Sequence, residues 1–131
     1  GVPTMENKIF TLHKTATEAD TAAHVGSDSL PVLATPVLIA WMEAAACGCC
    51  AGLMEEGTTS VGTEMNMQHT AASPVGMKVT VTAELSAVEG RIFSFKVYAE
   101  DTAGATGEGS HTRAIIRAER FMEKANAKLA Q

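Results

Sequence analysis

The chain has 131 residues, a formal net charge of −5 and 46% hydrophobic residues, enough for one domain around a real core. Its ten Lys and Arg residues are scattered, which argues against a nucleic-acid partner. The opening GVPTMENK lacks the basic-then-apolar order of a signal peptide.

Residues 1–7 read as a loose end to a single domain spanning 1–131. Lys8 to Thr17 alternates imperfectly and predicts a first strand, and the polar stretch Glu18 to Leu30 predicts a loop. The run Thr35 to Met54, TPVLIAWMEAAACGCCAGLM, follows. Between Asp28 and Glu55 it holds one charged residue, Glu43. Thr35 can cap a helix, and Pro36 suits a first turn because its missing N–H would be orphaned there anyway. Alanine, leucine and methionine favour continuation, and Glu55-Glu56-Gly57 ends the run.

A helix so apolar is expected to be buried. An ionised carboxylate cut off from water costs several kcal/mol unless it is paired. Glu43 is therefore expected to have a partner or a raised pKa, and either marks it for chemistry. A membrane-spanning role fits poorly: the run is barely long enough, contains Glu43 and two glycines, and lacks aromatic anchors at its ends.

Cys47, Cys49 and Cys50 lie at helical spacing that points their thiols apart, and no second cluster completes a zinc site. They read as packing residues, and three free thiols fit a reducing cytoplasm.

Thr58 to Thr70 alternates as a strand. Thr63, Met65, Met67 and His69 fall on one face, and Gly62, Glu64, Asn66 and Gln68 on the other. Ser73 to Gly76 is a turn. Met77 to Leu85 then alternates cleanly, Glu89-Gly90 marks a hairpin, and Arg91 to Ala99 puts Phe93, Phe95 and Val97 on one face. Asp101 to Gly104 turns again. Thr106 to Arg117 is the last strand, with His111 and Arg113 on the face of Ile115, and Ala118 to Gln131 a partly exposed helix. One strand, a long apolar helix and four strands in hairpin succession predict an α+β domain, a curved antiparallel sheet wrapped around the helix. That is the hot-dog architecture.

Three segments, VGSDSLPVLATPVLIAWME, TTSVGTEMNMQHTAASPVG and GEGSHTRAII, resemble the fluoroacetyl-CoA thioesterase-like family of hot-dog proteins. The likeness runs over roughly residues 10–121 without obvious insertions. It implies a homodimer, an acyl-CoA substrate, and hydrolysis with no metal or other cofactor. The family's functional residues fall on Thr35 of LATP, on the helix carboxylate Glu43, on Gly62 of SVGTE and on His69 of MQHTA. The family's lid is aromatic. Here His24 to Leu30 has Gly26 and Ser29 but no Phe, Tyr or Trp, which argues against fluoroacetyl selectivity.

Thioester hydrolysis needs a nucleophile or activated water, a proton shuttle and an oxyanion donor. Glu43 can attack the carbonyl or deprotonate water, and His69 can relay protons. Gly62 on a strand permits close backbone approach, with its N–H as donor. His111, Arg113 and Arg117 are candidates for the phosphates or pantetheine of coenzyme A, or else ordinary strand-face residues. Eight residues at ~1.5 Å rise separate Thr35 and Glu43 by about 12 Å along one helix, too far for direct contact. Either the helix begins after Thr35 or the two residues act from different subunits. Two further readings remain: a non-catalytic protein that binds acyl-CoA or an acyl carrier, and an enoyl-CoA hydratase.

Overall fold

The computed structural model describes residues 8–131; the stretch read as a loose N-terminal end lies outside them. Five strands, β1 (Ile9–Thr15), β2 (Thr58–His69), β3 (Lys78–Glu89), β4 (Ile92–Asp101) and β5 (Gly104–Arg117), form one antiparallel sheet. Its order is β1-β3-β4-β5-β2, so the first two strands in the chain become the two edges. Helices α1 (Ala22–Val25), α2 (Thr35–Cys50) and α3 (Ala118–Ala127) complete the chain, with a 3-10 turn at Ala51–Leu53.

The long run folds as expected up to Cys50 and then tightens into that turn. Leu38, Met42, Ala45, Ala46, Cys49 and Cys50 form its buried stripe. They pack on Val79, Val81, Ala83 and Leu85 of β3 and on Phe93, Phe95, Val97 and Ala99 of β4. Strict alternation on β3 and β4 supplies that apolar face, as strand geometry requires. Gly48 lets β1 close over the helix: a Cβ there would stand 2.5 Å from the ring of Phe10.

Full burial of α2 is not observed. Only 33% of the Thr35–Leu53 stretch is buried within the chain, although its length and composition would allow a membrane span. Pro36, Ala40 and Ala44 lie exposed on the face away from the sheet, with Ile39, Glu43 and Cys47 half-buried beside them. All three cysteines are free thiols. Burial raises the pKa of Cys49 and Cys50, and Cys49 Sγ donates to the Lys8 carbonyl.

Register on β2 departs from simple alternation. Pairing with β5 shifts between Gly62 and Glu64, so Thr63 is an extra residue in the strand. A bulge of one residue reverses the side-chain parity on one side of it. Met65, Met67 and His69 therefore face inward as expected, whereas Gly62 also faces inward and Thr63 turns out to bond Thr112 on the opposite face.

Candidate active site

Two clusters of polar side chains occupy the inner face. The first is built where the chain enters α2. Leu33 N–H donates to the Ser73 carbonyl and Ala34 N–H to that of Asp20, while Val32 bridges Pro74. Ser73 is itself held by Asp101 through a 2.8 Å hydrogen bond. These bonds fix the backbone on which Thr35 sits. Ala34, not Thr35, is the N-cap, and it makes no side-chain cap. With Thr35 as the first helical residue its hydroxyl is released from capping, and Oγ1 lies 2.8 Å from Nδ1 of His69.

His69 closes β2 at its last residue. Burial lowers its pKa, an effect the Ala71 backbone offsets in part. Burial thus disfavours the charged form of the ring. Its Nε2 is buried and makes no hydrogen bond of proper geometry among the described residues. A buried ring nitrogen left open is costly to maintain and is what a general acid or base presents to an incoming group. The pair borders a cleft of ≈ 200 Å³ lined by Asp28, Val32, Leu33, Thr70, Ala71 and Ala72.

The second cluster surrounds Glu43. Its Oε2 lies 3.5 Å from Nη1 of Arg113. Arg113, 5% exposed, donates through Nε to Ser60 Oγ at 2.8 Å and through Nη2 to the Ser60 carbonyl at 3.0 Å. Its Nη1 donates to Nε2 of His111 at 3.1 Å, while Nδ1 of His111 meets the Glu64 carbonyl at 2.7 Å. A carbonyl only accepts and a guanidinium only donates, so His111 is the neutral ring protonated on Nδ1. Its pKa is lowered, by burial first and then by the Arg113 charge. Glu43 is thus anchored on one oxygen by a buried cation, with the carboxylate at the uncovered face of α2.

Gly62 completes this cluster. A Cβ built on it would stand 2.7 Å from Glu43 Oε2 and 3.2 Å from His111 Cε1. Glycine is what allows the carboxylate to approach the strand backbone.

The structure therefore joins Thr35 to His69 and Glu43 to Gly62, but keeps the two pairs apart. From Gly62 to His69 is seven residues of strand, about 23 Å at ~3.3 Å each. His111 and Arg113 differ from the expected phosphate ligands: both are buried, and their donors are engaged inside the domain. Gly26 and Ser29 do not line the cleft. Gly26 ends α1 in the left-handed conformation at φ 81°, its N–H donating to Ala22, and Ser29 is exposed. Asp28 and Ser60 were missed. Asp28 is one of several polar residues in its loop, and Ser60 shares the face of Gly62 only on the far side of the bulge. Among the described residues no group of three His, Cys, Asp or Glu side chains is placed to hold a metal ion.

A family model described as fluoroacetyl-CoA-specific thioesterase matches residues 16–119. A fluoroacetyl-CoA thioesterase from Streptantibioticus cattleyicolor is 45% identical over 100 residues, covering 76% of this chain and 69% of that protein. The crystal structure of the fluoroacetyl-CoA-specific thioesterase FlK superposes with a TM-score of 0.89 at 37% identity, covering 94% of this chain and 96% of that one. A variant of FlK in complex with fluoroacetate and CoA superposes at 0.84 and 37% identity, covering 88% and 98%. A thioesterase superfamily member from Thermus thermophilus, 23% identical, shares the fold with a TM-score of 0.89 over 99% and 98% of the two chains. The chain has the hot-dog fold and belongs to the fluoroacetyl-CoA-specific thioesterase family.

Proposed function

We propose that the protein is a homodimeric, metal-independent thioesterase that hydrolyses small or medium acyl-coenzyme A thioesters to the free acid and coenzyme A. The observation that carries this reading is the division of labour between two incomplete clusters. One holds an imidazole with an open, buried Nε2. The other holds an anchored carboxylate against a glycine backbone. Each lacks what the other has.

A second copy of the chain supplies the complement. The uncovered face of α2 is apolar around Glu43, and β2 is an edge strand with one side unpaired. Open edges and apolar helix faces are protected in native proteins by pairing or cover. A two-fold dimer built on both brings Thr35 and His69 of one subunit toward Glu43 and Gly62 of the other.

In such a site the Gly62 N–H receives the thioester carbonyl oxygen as charge develops on it. Glu43 attacks the carbonyl carbon and the C–S bond breaks to leave an acyl-Glu43 anhydride, which water then hydrolyses to the free acid and the restored carboxylate; alternatively Glu43 removes a proton from a water that attacks the carbonyl, and breaking of the C–S bond gives the acid directly. In either case the thiolate of coenzyme A takes a proton from the solvent or the site. His69 and Thr35 relay protons in and out. The bare lid, without aromatic side chains from His24 to Leu30, supports a site that does not select fluoroacetyl groups. Free, unpaired thiols support a reducing, cytoplasmic setting.

A thiol-release assay over acyl-CoAs of graded chain length, with acetyl-CoA and fluoroacetyl-CoA compared directly, tests the proposal. Turnover of short chains with little preference for fluoroacetyl is expected. Bound but unhydrolysed thioesters would instead identify an acyl-CoA binder, and loss of enoyl absorbance without thiol would identify a hydratase.

A further inference from the structure

Among the described residues, Nε2 of His69 and Oγ1 of Thr106 are buried and make no hydrogen bond. Both belong to one corner of the fold. His69 ends β2 opposite Gly107 of β5, and residues so paired stand about 5 Å apart at Cα. The Thr106 carbonyl accepts from the N–H of Thr70 at 2.8 Å and from that of Ala71 at 3.4 Å. The two residues that follow His69 are thus tied to the one that precedes its partner.

The Thr106 side chain enters the same space. Ala99 of β4 pairs with Gly107 but Glu100 pairs with Ala105, which leaves Thr106 as the extra residue of a bulge. Side-chain parity reverses there, so Thr106 and Gly107, though consecutive, both face inward. A Cβ on Gly107 would stand 3.2 Å from Leu38 Cδ2. Thr106 is 1% exposed, whereas Ala105 before it lies open. A hydroxyl and a ring nitrogen left unpaired in one buried corner are costly, and native folds satisfy such groups with an internal water. A third partner for that water is at hand. The Ala71 backbone raises the pKa of His69, which a nearby carbonyl does and an N–H does not.

We propose that Thr106 is a positioning residue for His69, holding one buried water between its Oγ1, the Ala71 carbonyl and Nε2 of the imidazole. The two hydrogens of that water go to the hydroxyl oxygen and to the carbonyl, so the water accepts the hydrogen carried on Nε2. Nδ1 is then the bare nitrogen, and the Thr35 hydroxyl 2.8 Å away donates to it. A proton arriving through Thr35 is received on Nδ1, while the water steadies the imidazolium from its far side. An orienting carboxylate does the same for a catalytic histidine by fixing its tautomer. The effect on turnover rests on the thioesterase reading above; the water site does not.

Thr106→Val removes the hydroxyl at nearly constant shape, and Thr106→Ser restores it. The test reads nitrogen NMR of the His69 ring, thiol release from acetyl-CoA and urea midpoints on all three proteins, with circular dichroism to verify folding. In the wild type Nε2 should carry the hydrogen and show contact with a slowly exchanging water. In Thr106→Val the ring signals should shift and kcat should fall about tenfold with KM little changed, the worth of a hydrogen bond to a charged group. Thr106→Ser should recover both. Unchanged His69 signals in folded Thr106→Val overturn the proposal. A urea midpoint above wild type does so too, because an apolar isostere stabilises where a hydroxyl had no partner at all. Shifted signals without thiol release from the wild type would leave the water site and remove the thioesterase; thiol release with unchanged signals would do the reverse.

Discussion

Thr35 Oγ1 and His69 Nδ1 stand 2.8 Å apart although 34 residues separate them in sequence. The contact exists because Ala34 takes the cap position, so that the Thr35 hydroxyl points at the end of β2 rather than back at its own helix. Glu43, on the same helix, turns to Arg113 instead. The two halves of the proposed chemistry thus belong to one chain but not to one place in it.

Glu43→Gln keeps volume and most hydrogen bonding while removing the charge. The variant should fold and should lose nearly all thiol release, since only the carboxylate can act as nucleophile or base. Residual turnover within tenfold of wild type, roughly 1.4 kcal/mol in barrier, would make Glu43 a structural partner of Arg113.

Gly62→Ala tests the close approach. The added methyl would stand 2.7 Å from Glu43 Oε2, at the end of a flexible, half-exposed side chain. Glu43 can swing away, so stability should change by less than about 1 kcal/mol. Moving the carboxylate and crowding the carbonyl site should lower kcat by about a hundredfold, near 2.7 kcal/mol. A folded variant with wild-type kcat would remove Gly62 from the site.

How much of this was legible in the sequence differs from residue to residue. The helical run of α2 follows from its composition and its Thr35-Pro36 start, and the clean alternation of β3 and β4 from period, because nothing interrupts either. Sheet order does not: that β1 and β2 end as opposite edges depends on long-range pairing that no local pattern encodes. Strict alternation puts Gly62 on the wrong face because Thr63, a residue with ordinary strand propensity, forms a bulge. His111 and Arg113 looked like strand-face polar residues free for a ligand. They are instead the buried support of Glu43, visible only once β5 is registered against Ser60 and Glu64 on β2. The free face of α2 was hidden by its composition, since an apolar run reads the same whether its cover is its own sheet or a second subunit.

Acid should weaken the fold through two imidazoles. Burial lowers the folded pKa of both His111 and His69 below the ordinary value near 6.5. The unfolded chain then binds more protons than the native one in the window just below that value, and stability rises with pH there. Their contribution is intact above pH 6.5 and is lost as pH falls through the folded values. Urea midpoints should be level from pH 8 to 7 and decline between 6.5 and 5. The decline should flatten in His111→Gln, and an unchanged slope would mean that His111 does not titrate with folding.

The division between the clusters makes the sharpest test of the dimer. Take Thr35→Ala and Glu43→Gln homodimers, each impaired at both sites. If every site draws Thr35 and His69 from one subunit and Glu43 and Gly62 from the other, a mixed dimer carries both lesions in one site and neither in the second. Unfolding the two variants together and refolding them should give statistical exchange. About half the dimers are then mixed, each with one intact site, and activity should return to on the order of a quarter of wild type. His69→Ala should replace Thr35→Ala in this experiment, because the two residues lie on the same side of the division. The pair Thr35→Ala with His69→Ala should not complement, since every mixed dimer then keeps one lesion in each site. Recovery in that second mixture, or none in the first despite exchange confirmed by mass spectrometry, contradicts the shared site. The ~12 Å between Thr35 and Glu43 along α2 would then have to be bridged by substrate or water within a single chain.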